Sequence, residues 1–497
     1  MRRWLGTALL ALWVPVCLGQ STLKVSLDTN ETLFTMLAAM NYCGYDQDLG
    51  VSDPLRKQIR TEIAQAAESS AEAKVSARAL CQFYKDHEQP EAGRTLSQYI
   101  SLALYTNPVP AFNIRTREAD LPPDAGYVQG ILNPLERFYQ TAGVDSVWQR
   151  HRDAYTALTE RYHDPLAKML FDTEVYLKLA SAGYLGRSFT VYLDPLGAPG
   201  QTNARNYASD YYVVISPGSS GSLKMDEIRH TYLHYLLDPL ALKYPQNLKR
   251  LEPLLDSVKN SPMGQGFKDD ISLLVTECLI RAIEIRTPAG KPTEAQREEA
   301  VNATVAQGYV LTRYFFDVFK QFEKDPAGLR NTYGEMLTDI DLHKEQKRAS
   351  EVEFAKKAEP ELLHLSRPLE GKLLITAEQK LSTGDPAGAQ KLAQQALQEK
   401  SEDPGRALFI LAQVATMNRD MQGARDYFQQ ALSVTQEPKV VAWSHIYLGR
   451  IFDLQENREA ALDHYRAALT AGASLPAVKA AAEHGLQQPY EPPGHPQ

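Results

Sequence analysis

The sequence predicts an α+β fold that is predominantly helical, and three observations carry that prediction. Most of the chain places apolar residues three and four apart, the helical rhythm. Two short runs, Arg187–Asp194 and Tyr211–Ser216, are instead β-branched and aromatic, with a turn-rich loop Pro195–Gly200 after the first. A C-terminal stretch repeats a pattern of small residues in register.

At 497 residues the chain has room for two or three domains with a sizeable core. A formal charge of −8 argues against nucleic-acid binding, which calls for a basic face. The first 19 residues read as a secretory leader. Arg2 and Arg3 precede an apolar run, Leu5–Val16, too short to span a bilayer, and Gly19 offers a small residue for cleavage. No later run is long and apolar enough to span, so the mature chain is expected to be exported, periplasmic or secreted, from a bacterial source. Cys43, Cys81 and Cys278 remain after cleavage. Export permits a disulfide, and Cys43 with Cys81 is the economical pair because they lie in neighbouring helical segments; three buried thiols fit equally well.

From Glu31 to Leu179 the pattern is mostly helical. Leu33, Met36, Leu37 and Met40 set one helix, Ile59 to Tyr84 a longer amphipathic one, and Leu132–Tyr139 and Val147–Leu179 two more. Pro108–Pro110 and Leu121–Asp124 are breaks. His151 and His163 are isolated and read as surface or internally satisfied histidines. The two strand-like runs form a hairpin or neighbouring strands. After Pro217–Gly221, Ser222 is suited to cap a helix that Pro239 should stop near Leu237. Further helices are expected over Lys268–Arg286 and Glu294–Phe322, and a charged linker or exposed helix over Leu342–Leu369.

In the C-terminal region Ala377, Ala412 and Gly449 align, 35 and 37 residues apart. Ala389, Ala424 and Ala461 follow, then Ala393, Phe428 and Tyr465, then Ala396, Ala431 and Ala468; Pro404, Pro438 and Pro476 close the units. This resembles tetratricopeptide repeats from about Glu370 to Pro476, with Ala477–Gly485 as a capping helix. The resemblance implies an all-α solenoid of stacked helix pairs whose groove takes a protein or peptide partner.

The stretch Asp226–Pro239 holds His230 and His234 four residues apart. On a helix that step turns about 400°, so both imidazoles lie on one face. This is the spacing at which two histidines grip one zinc ion. A third ligand is expected from the next helix: Glu277 sits among apolar neighbours, where a carboxylate needs a metal or a cation such as Arg229 or Arg281, and Glu284 is the alternative two turns on. Strands, then a helix with H-x-x-x-H, then a helix with a Glu resemble the zincin metallopeptidases of the gluzincin type, over about residues 185 to 290. The resemblance implies an α+β domain with an edge strand beside a cleft. The family's motif is H-E-x-x-H, its Glu the general base; here Thr231 stands at that position, and a hydroxyl cannot take a proton from bound water at neutral pH. Losing a general base costs roughly 10²–10⁴-fold in rate. Glu227, near the direction of His234 round the helix, is the substitute base or ligand, or a first-turn acid favoured by the helix dipole. Tyr232 and Tyr235 either donate to an oxyanion or pack.

The sequence thus divides into a leader (1–19), a helical region (20–182), a zincin-like metal region (183–340), a charged linker (341–369), repeats with their cap (370–487) and a Pro-rich tail (488–497). The leading expectation is a degenerate metallopeptidase that binds zinc through His230, His234 and Glu277 and a partner through its repeats. The alternatives are an active zinc hydrolase using Glu227, and a metal-free periplasmic repeat scaffold.

Overall fold

The computed structural model describes residues 25–115, 121–179, 187–207, 210–288, 290–359, 364–365, 373–400, 402–472 and 475–491. The expected leader and the last six residues of the Pro-rich tail lie outside them.

The fold is α+β and mostly helical, as the sequence predicts. Its sheet has the order β1-β2-β4-β3-β5, with β1 Val25–Asp28, β2 Ser188–Leu193, β3 Asn203–Tyr207, β4 Asp210–Ile215 and β5 His364–Leu365. β2 runs parallel to β1 and β4; β3 is antiparallel to β4 and parallel to β5. The two predicted runs are therefore parallel neighbours, with Thr190 opposite Tyr212, and not a hairpin. Sequence reading missed β1, β3 and β5. β3 is polar, Asn-Ala-Arg-Asn-Tyr, and its Arg205 is buried by reaching the Ser97 carbonyl at 2.9 Å and Asp124 at 3.1 Å. β5 pairs only two residues inside a stretch that reads as charged linker.

The sheet is covered on both faces, so all six residues of β2 are buried although Ser188, Thr190 and Tyr192 alternate with Phe189, Val191 and Leu193. Phe189, Val191 and Leu193 face the core around the histidine helix, together with Val213 and Ile215. Tyr192 and Val214 face the core of the N-terminal helices.

Several predicted helices are divided or extended. The stretch from Ile59 to Tyr84 is two helices, Pro54–Ala67 and Ala71–Asp86, because the Ser70 hydroxyl accepts from Ala73 N and starts a new one. Glu294–Phe322 is likewise split into Glu294–Ala306 and Thr312–Phe322. Gly308 makes that turn at φ +113, and a Cβ there would lie 2.5 Å from the Ser261 hydroxyl. The charged region begins with a helix, Leu342–Ser350, whose Glu345 is buried.

The histidine helix runs Met225–Ala241, through Pro239 and past the predicted stop at Leu237. A proline there removes the bond to the carbonyl four residues back, that of Tyr235. The Arg187 guanidinium donates to that same carbonyl, so the loss is made good. At the other end Lys224, not Ser222, is the cap, and it makes no side-chain capping bond.

Cys43, which ends the first helix Glu31–Tyr42, forms a disulfide with Cys81 of Ala71–Asp86, which fits an oxidising compartment. Cys278 is a buried free thiol that burial pushes up to about 12. Among the described residues no helix is long and apolar enough to cross a membrane.

The C-terminal region is a stack of antiparallel helix pairs: Leu373–Thr383 with Pro386–Glu399, Pro404–Met417 with Met421–Val434, and Pro438–Leu454 with Arg458–Ala471. Pro476–Gln487 covers the last pair. The aligned alanines are all buried, and Gly449 takes the place of an alanine because a Cβ there would lie 2.7 Å from Tyr465. Phe428 stacks on Tyr447 at 5.0 Å, joining the second pair to the third. Pro404, Pro438 and Pro476 open the next helix rather than close a unit, sitting at a first-turn position where no backbone donor is needed. From Gly405 to Met417 and from Pro438 to Asp453 no residue is exposed. Lys439 pairs with Asp210 of β4, tying the stack to the sheet.

Asp194, just after β2, yields a first prediction. It is buried, its Oδ1 accepts from Leu196 N at 2.9 Å and from the Tyr155 hydroxyl at 3.2 Å, and its Oδ2 has no hydrogen-bond partner among the described residues. Burial pushes its carboxyl from 3.8 to about 7, against the lowering pull of Arg56. A raised carboxyl favours the protonated fold, so its contribution is full in acid and is lost as pH rises from about 4 to 7. Asp194→Asn is expected to flatten that fall in thermal midpoint and to match or exceed wild type above pH 7. A wild-type slope in the variant would refute the assignment.

Candidate metal centre

The histidine helix lies against the helix Ile271–Arg286, and this crossing brings the predicted residues together. Asp270 caps the second helix by accepting from Ser272 N and Leu273 N, which fixes where its buried face begins. His230, His234 and Glu277 are 3%, 0% and 2% exposed. One donor atom from each lies within 4.8 Å of the others. Glu277 Oε2 is 3.2 Å from His234 Nε2 and 3.5 Å from His230 Nε2. Two ligands about 2.0–2.1 Å from one tetrahedral ion sit about 3.3 Å apart, so these separations fit a shared zinc.

The opposite ring nitrogens are also held. His230 Nδ1 lies 3.0 Å from Glu284 Oε1, and His234 Nδ1 lies 3.0 Å from Asp238 Oδ1. Asp238 is itself fixed by the Tyr211 hydroxyl, which donates to Oδ2 at 2.6 Å. Carboxylates at both Nδ1 atoms make those nitrogens donors, and both Nε2 atoms face Glu277, where their lone pairs are free for an ion when the rings are neutral. This is the arrangement in which a second layer of carboxylates orients metal-binding histidines. Glu284, the alternative third ligand, therefore stands on the far side of His230 from the convergence point.

Charge points the same way. Glu277, Glu284 and Asp238 meet two imidazoles, and among the described residues Arg281 is the one arginine or lysine in direct ion pair with any of the three, at 2.6 Å from Glu277 Oε1. Arg229 bonds the Thr287 carbonyl and makes no ion pair here, acting on Glu284 only from further off. A buried cluster so rich in carboxylate needs added positive charge, either a divalent ion or protons on the imidazoles. Burial opposes a charged His230, but Glu277 and Glu284 outweigh it and hold the ring at about 10. His234 is raised by Asp238 and Glu277 against the same burial. Burial likewise opposes ionised Glu277, yet His230 and Arg281 hold it well below the usual carboxylate range.

Neither candidate at the expected base position makes a described hydrogen bond to the imidazoles. Thr231 is buried, and its hydroxyl donates to the Glu227 carbonyl at 3.1 Å along the helix. The Glu227 carboxylate lies 3.4 Å from Lys224, and no described bond joins it to either imidazole. Tyr232 donates to Glu174 at 2.6 Å and stands edge-on to Phe189, while Tyr235 packs against Phe189, Tyr211 and Arg187; both are core residues. His151 bonds Glu62 at 2.9 Å and His163 its neighbour Asp164 at 2.8 Å, as satisfied histidines should. Sequence reading did not single out Asp238 as an orienting group, although its place one turn after His234 was a readable signal.

No protein-family model, curated protein or solved structure matches the chain.

Proposed function

We propose that this is an exported protein whose body holds a zinc ion between two helices, a degenerate relative in kind of the zinc peptidases, and whose helical repeats dock a protein partner. The observation that carries the metal reading is the pairing of both Nδ1 atoms with carboxylates while both Nε2 atoms converge on Glu277. His230, His234 and Glu277 would hold the ion, and Asp238 and Glu284 would orient the rings. Bound zinc supplies Lewis acidity and lowers the pKa of a coordinated water towards ~7. Neither expected position supplies a free base there: Thr231 spends its hydroxyl on the helix backbone, and Glu227 is paired with Lys224. The ion's part is then to fasten the two helices and neutralise their carboxylates.

Metal analysis of protein purified without a histidine tag tests this. We expect roughly one zinc per chain; a content near zero sinks the reading. Digestion of a broad peptide library is expected to stay at the level of a zinc-stripped control. The raised His230 and His234 favour one competing reading, a metal-free scaffold in which two imidazolium rings balance the carboxylates, and the same analysis decides between them.

For the partner, burial matters. The first helices of the second and third pairs, which would line a groove, are exposed only at their ends, at Pro404 and Leu454. The second helices each keep an exposed face, including Gln422, Asp426, Gln429 and Gln430 on Met421–Val434. A polar partner surface docking there fits this burial better than a peptide in the groove.

A further inference from the structure

The segment Val352–Glu359 follows the helix Leu342–Ser350 and lies against the end of Glu294–Ala306 and against Arg281 of the second metal helix. Its hold on the body is specific. Ala355 N donates to the Ala306 carbonyl at 2.8 Å, and Phe354 packs against the core that contains the metal helices. The Gln307 side chain grips the segment twice, donating to the Lys357 carbonyl at 3.2 Å and accepting from Glu359 N at 3.1 Å. Glu359 then reaches Arg281 at 3.1 Å, and the other edge of that guanidinium holds Glu277 at 2.6 Å. The Tyr309 ring backs the guanidinium at 3.9 Å.

Arg281 is thus the layer between a fully buried ligand and the outside: its side chain is 15% exposed and that of Glu359 is 46%. Resting on the metal reading above, we propose that Val352–Glu359 is a strap that closes the zinc site, and that Glu359, through Arg281 and Glu277, governs how fast the ion leaves. Glu359 is a positioning residue, since it touches no ligand nitrogen and acts by pinning Arg281. Further along the chain the first repeat helix, Leu373–Thr383, packs against the histidine helix. A partner that loads the repeats would therefore act on the helix that carries both histidines.

The test uses the full chain loaded with zinc and mixed with excess chromogenic chelator. Glu359→Ala is expected to release zinc roughly tenfold faster than wild type at equal starting content, the scale on which orienting groups act on bound metals. Its thermal midpoint should scarcely move, because the side chain is half exposed, and Glu359→Asp should restore part of the slow release. Release from Glu359→Ala at the wild-type rate overturns the strap. Should wild type hold no zinc, the metal reading has failed by itself, and the strap is then tested by hydrogen exchange across Met225–Ala241 in the metal-free chain. Faster exchange in Glu359→Ala supports closure by the strap, and unchanged exchange overturns it.

Discussion

Glu277→Ala is expected to empty the metal centre and to lower the unfolding free energy by about 3–5 kcal/mol, the scale for breaking a buried ionic cluster from one side. Both effects follow from position. Glu277 Oε2 is the point on which the two Nε2 atoms converge, and Oε1 is the partner of Arg281. Without it, the arginine and both imidazoles keep their burial and lose their shared counter-charge. Glu284→Ala should behave differently, because Glu284 meets only the outer nitrogen of His230 and is partly exposed. That variant is expected to reach the same zinc content at saturation with affinity about 10–100-fold weaker. Metal analysis with competitive titration, alongside urea unfolding, separates the two. Full zinc retention in Glu277→Ala with loss in Glu284→Ala would reverse the ligand assignment.

The contrast between these glutamates shows how far sequence could carry the site. His230, His234 and Glu277 were legible because each obeys a local rule: two histidines one helical turn apart, and a carboxylate stranded among apolar residues on the next long helix. The contact of Glu284 with the outer nitrogen of His230 was not legible, since helical periodicity places it on the same side as Glu277 and says nothing of which imidazole edge it meets. The strands divide similarly. β2 and β4 declare themselves by β-branched and aromatic content, whereas β3 owes its place to partners far away in sequence, Ser97 and Asp124 for Arg205. The stacked helix pairs were legible in outline, since tight helix crossings favour small side chains, although their prolines open helices and do not close units. One more in-register signal was available there: Asp385, Asp420 and Asn457 each cap the second helix of a pair, accepting from the backbone three residues on. The burial of the first repeat helices had no local signal, because a residue facing a groove and one facing another part of the chain are equally apolar.

Arg56→Ala is the other change expected to be severe, at about 3–5 kcal/mol, and it acts far from the metal. Arg56 is fully buried. Its guanidinium donates to Asn41 Oδ1 at 2.8 Å, to the Gln47 carbonyl at 2.7 Å, to Ser52 Oγ at 2.8 Å and to the Gly197 carbonyl at 3.2 Å. Asn41 in turn donates to the Leu196 carbonyl at 2.8 Å. One side chain therefore fastens the first two helices to the loop after β2, and its loss strands several acceptors at once. It is also the cation whose pull opposes the rise of Asp194. Removing it should deepen the penalty of ionised Asp194 at neutral pH, so Asp194→Asn should recover more stability in the Arg56→Ala background than in wild type. Urea unfolding of the four chains at pH 7.5 measures this coupling, expected to exceed about 0.5 kcal/mol. Additive effects would mean that Arg56 supports the loop through its hydrogen bonds alone and leaves Asp194 untouched.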